Sequence, residues 1–298
     1  MAVSSSVVPA PERASSGPTR RQALRLLGTA AAVVVATATV DAAWRADLQR
    51  PRVVVLGSGR RQLAALITAG EARLLLAIGD DPVVFGNALA QVRPITAPRI
   101  DLLLVAGSGK TLAVPAAIIE EIDPSLTLSL GPLLGADAAL FKRSREMPVI
   151  SGTRRIRLGD DLTVEVAVAA GEATEDGAMP SEWRLIVRHG RSTMVLLSRV
   201  TATDAFPPVE AVSCLILPEL KSAAAWGPNP PPLVVIAGPA EAGRELRAAA
   251  AASAVAAQWG ALVHPGEALP LTFNDGAISL PTGTAQPLLS GAAPPGGS

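Results

Sequence analysis

Apolar residues in this chain come in short runs set apart by Gly, Pro and Asp, with few long helical periods. Arg52 to Leu56 is a β-branched run that stops at Gly57-Ser58-Gly59, and Arg73 to Ile78 is another that closes on Gly79-Asp80-Asp81-Pro82. Such runs, bounded by turn residues, predict strands. A helix is expected over Val83 to Val92. Ile100 to Ala106, apolar but for Asp101, predicts a continuous strand buried on both faces. Leu112 to Ile122 reads as helix, Leu126 to Leu130 as strand, and Asp137 to Arg145 as a short helix. From Val149 onward hairpins are expected. Ile156 to Leu158 and Leu162 to Ala169 flank the turn Gly159-Asp160-Asp161, and Trp183 to Arg188 and Ser192 to Ser198 flank His189-Gly190-Arg191. Strands over Ala211 to Leu217 and Leu233 to Ala237 surround a Pro-rich loop. An Ala-dominated helix follows over Ala240 to Trp259. A terminal hairpin joins Ala261 to Val263 with Leu271 to Phe273 and Ala277 to Leu280, before a Gly/Pro tail. Strands mixed with helices in both halves, without a repeat at solenoid spacing, predict one α/β sandwich over residues 44–281. The tail, residues 282–298, is expected to be disordered.

The N-terminal segment has a different texture. Residues 1–18 are rich in Ser, Pro and Ala and predict disorder. The pair Arg20-Arg21 then stands directly before an uncharged, mostly apolar run from Leu26 to Val40. That order is the pattern read by the twin-arginine translocase, the partner expected for residues 1–43. Ala36-Thr37-Ala38 and Val40-Asp41-Ala42 offer small residues for a signal peptidase, so cleavage is one expected fate. About 20 apolar residues span a bilayer; residues 22–43 approach that length, so membrane anchoring is the other. The expected location is extracytoplasmic, either secreted or held at the outer face of the cytoplasmic membrane.

Composition narrows the chemistry. Lys plus Arg equals Asp plus Glu at 26 each, so nothing in the overall charge marks a nucleic-acid binder. The basic residues Lys142, Arg143, Arg145, Arg154, Arg155 and Arg157 cluster locally and could meet nucleic acid or anionic headgroups. No aromatics are interleaved for base stacking, so the cluster reads as a solvated face and nucleic acid is not an expected partner. The single cysteine, Cys214, excludes an intramolecular disulfide; in the run Val212 to Leu217 it reads as a buried small hydrophobe. Ala106-Gly107-Ser108-Gly109-Lys110-Thr111 follows a strand and opens a helix. A phosphate loop also needs a glycine where Leu104 stands, and Gly57-Ser58-Gly59-Arg60 is explained by a strand-to-helix turn. No nucleophile-elbow spacing supports a Ser/His/Asp site at Ser108 or Ser198.

Arg73 to Gly79, a helix, and then Arg99 to Ala106 resemble the opening of metallo-β-lactamase-fold proteins, most like the C-terminal hydrolase-like domain of competence proteins that import DNA. The resemblance spans roughly Val53 to Pro281 and implies a metallo-β-lactamase-like αββα sandwich. In that family the second strand runs into His-x-His-x-Asp-His; Gly107, Gly109, Thr111 and Leu112 stand at those positions here. The family's Leu-Leu-Thr-Gly-Asp strand corresponds to Val195 to Val200, placing Val200 at the metal-binding Asp. Leu215 to Ser222 corresponds to the strand leading to Pro-His-His-Gly-Ser, with Glu219 and Leu220 replacing the histidines. Zinc hydrolases of this kind need several imidazoles. The chain has two, His189 and His264, both expected in exposed turns. The resemblance with these replacements implies a pseudoenzyme with no metal and no cofactor.

Overall fold

The structure is a computed structural model. It describes residues 50–59, 62–92, 99–107, 112–122, 124–133, 147–170, 181–198, 206–218, 231–239, 241–245, 248, 259–274 and 276–287. The twin-arginine segment, the expected helix over Asp137 to Arg145, and Gly109, Thr111, Val200, Glu219 and Leu220 lie outside the described residues.

Two eight-stranded sheets form the body. The first half of the chain supplies β1 (Arg52–Gly57), β2 (Leu63–Ala69), β3 (Ala72–Ala77), helix α1 (Pro82–Ala90), β4 (Leu102–Val105), helix α2 (Ala113–Ile122), β5 (Leu126–Leu130) and β6 (Val149–Ile150). The second supplies β7 (Gly152–Leu158), β8 (Leu162–Ala170), β9 (Ser181–His189), β10 (Ser192–Leu197), β11 (Cys214–Leu217), β12 (Leu233–Ala237) and β13 (Trp259–Val263). The chain then adds β14 (Ala268–Asn274), β15 (Ala277–Ser279) and β16 (Gln286–Pro287). The sheet orders are β15-β14-β1-β2-β3-β4-β5-β6 and β16-β13-β12-β11-β10-β9-β8-β7. The halves share a plan. Hairpin-linked antiparallel strands lead into a parallel run, β3 to β6 in one sheet and β10 to β13 in the other.

Alternation along the strands explains the layers. Val53, Val55, Leu74, Leu76, Val164, Leu185, Met194 and Ile216 point between the sheets into one shared core. Val54, Leu56, Leu75 and Leu103 point the other way and are covered by Phe85 and Leu89 of α1 and Val114 and Ile118 of α2. The outer face of the second sheet buries Ile186, Leu215, Leu217 and Ile236 under Phe206 and under Ala242 of a helical stretch at 241–245. Helix, sheet, sheet and helix therefore stack in the αββα order expected from the sequence.

Four expectations need correction. After Gly57-Ser58-Gly59 the chain turns back as β2, in register Leu56 with Ala64, instead of entering a helix. Trp259 is the first residue of a strand and pairs with Leu233, so the Ala-rich helix does not reach it. β13 and β14 are not one hairpin, because β13 pairs with β12 in the second sheet whereas β14 pairs with β1 in the first. The Gly/Pro tail is ordered at its start, where Gln286 and Pro287 pair with Gly260 and Trp259. No helix among the described residues is long and apolar enough to cross a membrane.

Candidate functional site

The carboxyl ends of the parallel strands meet along one rim of the sandwich, and the rim is built from small residues. At the end of β1, Gly57 donates its N–H to Glu267 O at 2.9 Å and accepts from Gly266 N at 2.9 Å, so the β13–β14 connection lies directly on it. A Cβ at Gly57 would come within 2.7 Å of the His264 carbonyl carbon. At the end of β3, Gly79 accepts from Val114 N at 3.1 Å, and a Cβ there would stand 2.9 Å from Ser58 O. Gly131, after β5, has φ +81° and abuts Ser181 at the start of β9. These contacts draw the loops of both sheets close together.

The polar groups of the rim are largely committed to structure. Asp81 caps α1, its Oδ1 accepting from Val83 N at 3.0 Å and Val84 N at 3.1 Å, with Pro82 in the first turn where a missing N–H is harmless. Gln62 accepts from Asp80 N at 2.9 Å. Gln91 ties the β13–β14 connection by donating to Gly266 O at 2.7 Å and accepting from Ala268 N at 3.3 Å. Glu267 accepts from His264 N at 3.2 Å, and Ser198 Oγ accepts from Trp183 N at 3.1 Å. Ser58 is different: its hydroxyl is fully buried with no hydrogen-bond partner among the described residues.

Only two of the positions singled out by resemblance are described. Gly107 is half-buried at the end of β4 with φ 113°, a left-handed backbone that suits glycine, and it supplies no side-chain donor. Leu112 is 2% exposed and belongs to the apolar layer with Val114 and Ile118. The second sheet reaches the same rim through Ser198 and Pro218 at the ends of β10 and β11. The histidines are half-buried instead of exposed. His189, at the end of β9, lies against Phe273 with ring centroids 5.6 Å apart, and His264 begins the β13–β14 connection. The structure does not bring them together as a pair. Among the described residues no group of three or more His, Cys, Asp or Glu is placed to hold a metal ion.

No protein-family profile matches the chain, and no curated protein matches it. Among solved structures it is similar to a presumptive metal-dependent hydrolase from Parabacteroides distasonis, with 10% identity and a TM-score of 0.44, covering 73% of this chain and 94% of that one. It is also similar to MEM-A1, a subclass B3 metallo-β-lactamase from a soil metagenome library, with 11% identity and a TM-score of 0.35, covering 73% of this chain and 78% of that one. The fold is an αββα sandwich of two mixed sheets, the architecture that the sequence resemblance implies. That statement rests on the layer order and strand topology above and concerns architecture alone.

Within this αββα sandwich, Cys214 sits on the inter-sheet side of β11, 0% exposed, and burial pushes its thiol well above the usual range. It is expected to resist a thiol-labelling reagent in the folded protein and to react only as fast as the chain unfolds globally. Labelling much faster than unfolding measured by circular dichroism would contradict that placement.

Proposed function

We propose that this protein is a catalytically inactive metallo-β-lactamase-like domain, exported or tethered outside the cytoplasmic membrane by its N-terminal segment, where it acts as a binding or structural module. The observation that carries the reading is the side chain of Leu112. The residue at the position of a metal ligand is committed to the apolar layer between α2 and the first sheet. Gly107, at another such position, has no donor atom to offer. A tight site needs its full ligand set held in geometry, and two carboxylates at the rim, Asp81 and Glu267, already accept backbone N–H bonds.

The test is metal analysis of the protein purified without a His tag, with thermal melts in chelator and in added zinc or manganese. The expected outcome is no stoichiometric metal and an unchanged melting temperature. A ligand at 100 times its Kd would add about 2.7 kcal/mol, which a melt resolves easily. About one bound metal per chain, or melting raised by zinc and lowered by chelator, would overturn the pseudoenzyme reading in favour of a hydrolase with non-family ligands.

A further inference from the structure

The outer face of β7, β8 and β9 carries a cluster of arginines that the rim does not use. Cross-strand register sets Arg157 opposite Thr163 and Thr163 opposite Arg188, so two arginines flank one threonine on the same face. Neighbouring strands lie about 4.8 Å apart, which puts the two arginine backbones at a separation their long side chains can close over Thr163. In the adjoining row Arg155 stands opposite Glu165. Glu165 Oε2 lies 3.6 Å from Arg155 Nη2 and 3.3 Å from Arg188 Nη1, holding those two side chains toward each other. Arg157 is oriented from below by its donation to Asp160 O at 2.8 Å, which uses a small part of its five-donor fork.

Charge and shape point to one ligand chemistry. Arg155, Arg157, Arg184 and Arg188 against the single carboxylate of Glu165 leave a local excess of positive charge that favours an anion of the phosphate kind. The forks present parallel N–H donors suited to its oxygens. Arg184, on the same face, interacts electrostatically with both Glu165 and Arg188, while it also donates to Pro207 O and lies 5.0 Å over the Phe206 ring. The other acids nearby, Asp160 and Asp161, are exposed on the β7–β8 turn, where water and salt screen them. Arg155 and Arg188 keep side-chain exposures of 72% and 42%, so the donors are accessible.

We propose that this face binds a phosphate group between Arg157 and Arg188 above the Thr163 hydroxyl, with Glu165 as the positioning residue for Arg155 and Arg188. The site is separate from the rim and stands or falls independently of the pseudoenzyme reading. The phosphate can be a soluble ion or ester, or part of a lipid headgroup, and the experiment separates these. Full-length protein is melted in inorganic phosphate and in chloride at equal ionic strength. With phosphate at ten times its Kd, the melting temperature should rise by about 3–6 °C over chloride. Arg157→Gln with Arg188→Gln should abolish the difference, whereas Arg244→Gln, an exposed arginine elsewhere, should keep it. If the double variant melts far below wild type in chloride, Arg157→Gln alone serves, since that side chain is on the surface. Sedimentation with vesicles of phosphatidylcholine, with and without phosphatidylglycerol, is the second arm. Excess binding to the anionic vesicles that the double variant loses assigns the phosphate to a headgroup. A phosphate-dependent shift without that excess assigns it to a soluble ligand. Equal melting in phosphate and chloride with no excess vesicle binding, or effects that survive the double variant, would overturn the site.

Discussion

Replacing Gly57 with alanine is expected to destabilise the domain by about 3 kcal/mol or more, at the upper end of what overpacking costs. For a domain of this size that lowers the melting temperature by roughly 6–12 °C. The added methyl would meet the carbonyl of His264, which is backbone and has little room to retreat. Gly57 is bonded to Glu267 O and Gly266 N on one side of that turn, and Gln91 grips the same connection through Gly266 O and Ala268 N. Relief would require breaking either the β1 end or the loop. Gly70 is the matched control: its φ is +60° but nothing lies within 4 Å of an added Cβ, so alanine there should cost only about 1–2 kcal/mol of backbone strain. Comparable small losses for both variants in urea titrations would show that the close approach of the two sheets at Gly57 is wrong.

The second large effect concerns the address. Arg20→Lys combined with Arg21→Lys is expected to abolish export, because an ammonium cannot reproduce the planar fork of a guanidinium. A reporter fused behind residues 1–50 should pass out of the cytoplasm with the wild-type segment and remain inside with the double variant. Undiminished export of the variant would remove the basis for an extracytoplasmic domain.

Much of the architecture was readable where apolar runs are continuous. Leu102–Val105 and Leu233–Ala237 are fully buried strands in the sheets, as their composition predicts. β2 was not readable, because Leu63–Ala69 mixes three alanines and a threonine with three larger aliphatics and so carries neither a strand nor a helix period. The division of β13 and β14 between the two sheets was hidden as well, since it depends on Val55 meeting Leu269, a contact no local window contains. That Gly107 and Leu112 carry no metal-binding side chain was legible from residue identity. The fate of the Leu112 side chain was not, nor was the need for a bare Cα at Gly57, which arises from the turn at His264. The arginine cluster was visible in the sequence only as a local run. Arg188 and Glu165 join it by strand register, while Arg154 lies one residue out of phase with Arg155 and takes the opposite face.

The pairing of β1 with β14 also sets a timetable for the birth of the protein. Arg52 finds its partner Thr272 only after most of the chain has been made. At roughly 5–20 residues per second, β1 waits about 10–45 s on the ribosome with that edge bare. β2 and β3 can associate with α1 and α2 during this interval, but closure of the sandwich waits for β14. A domain whose ends must meet is finished all at once and late, so its long-range pairing should make it a slow folder. A carrier that accepts only folded cargo would find this domain ready only once β14 has been made and paired with β1.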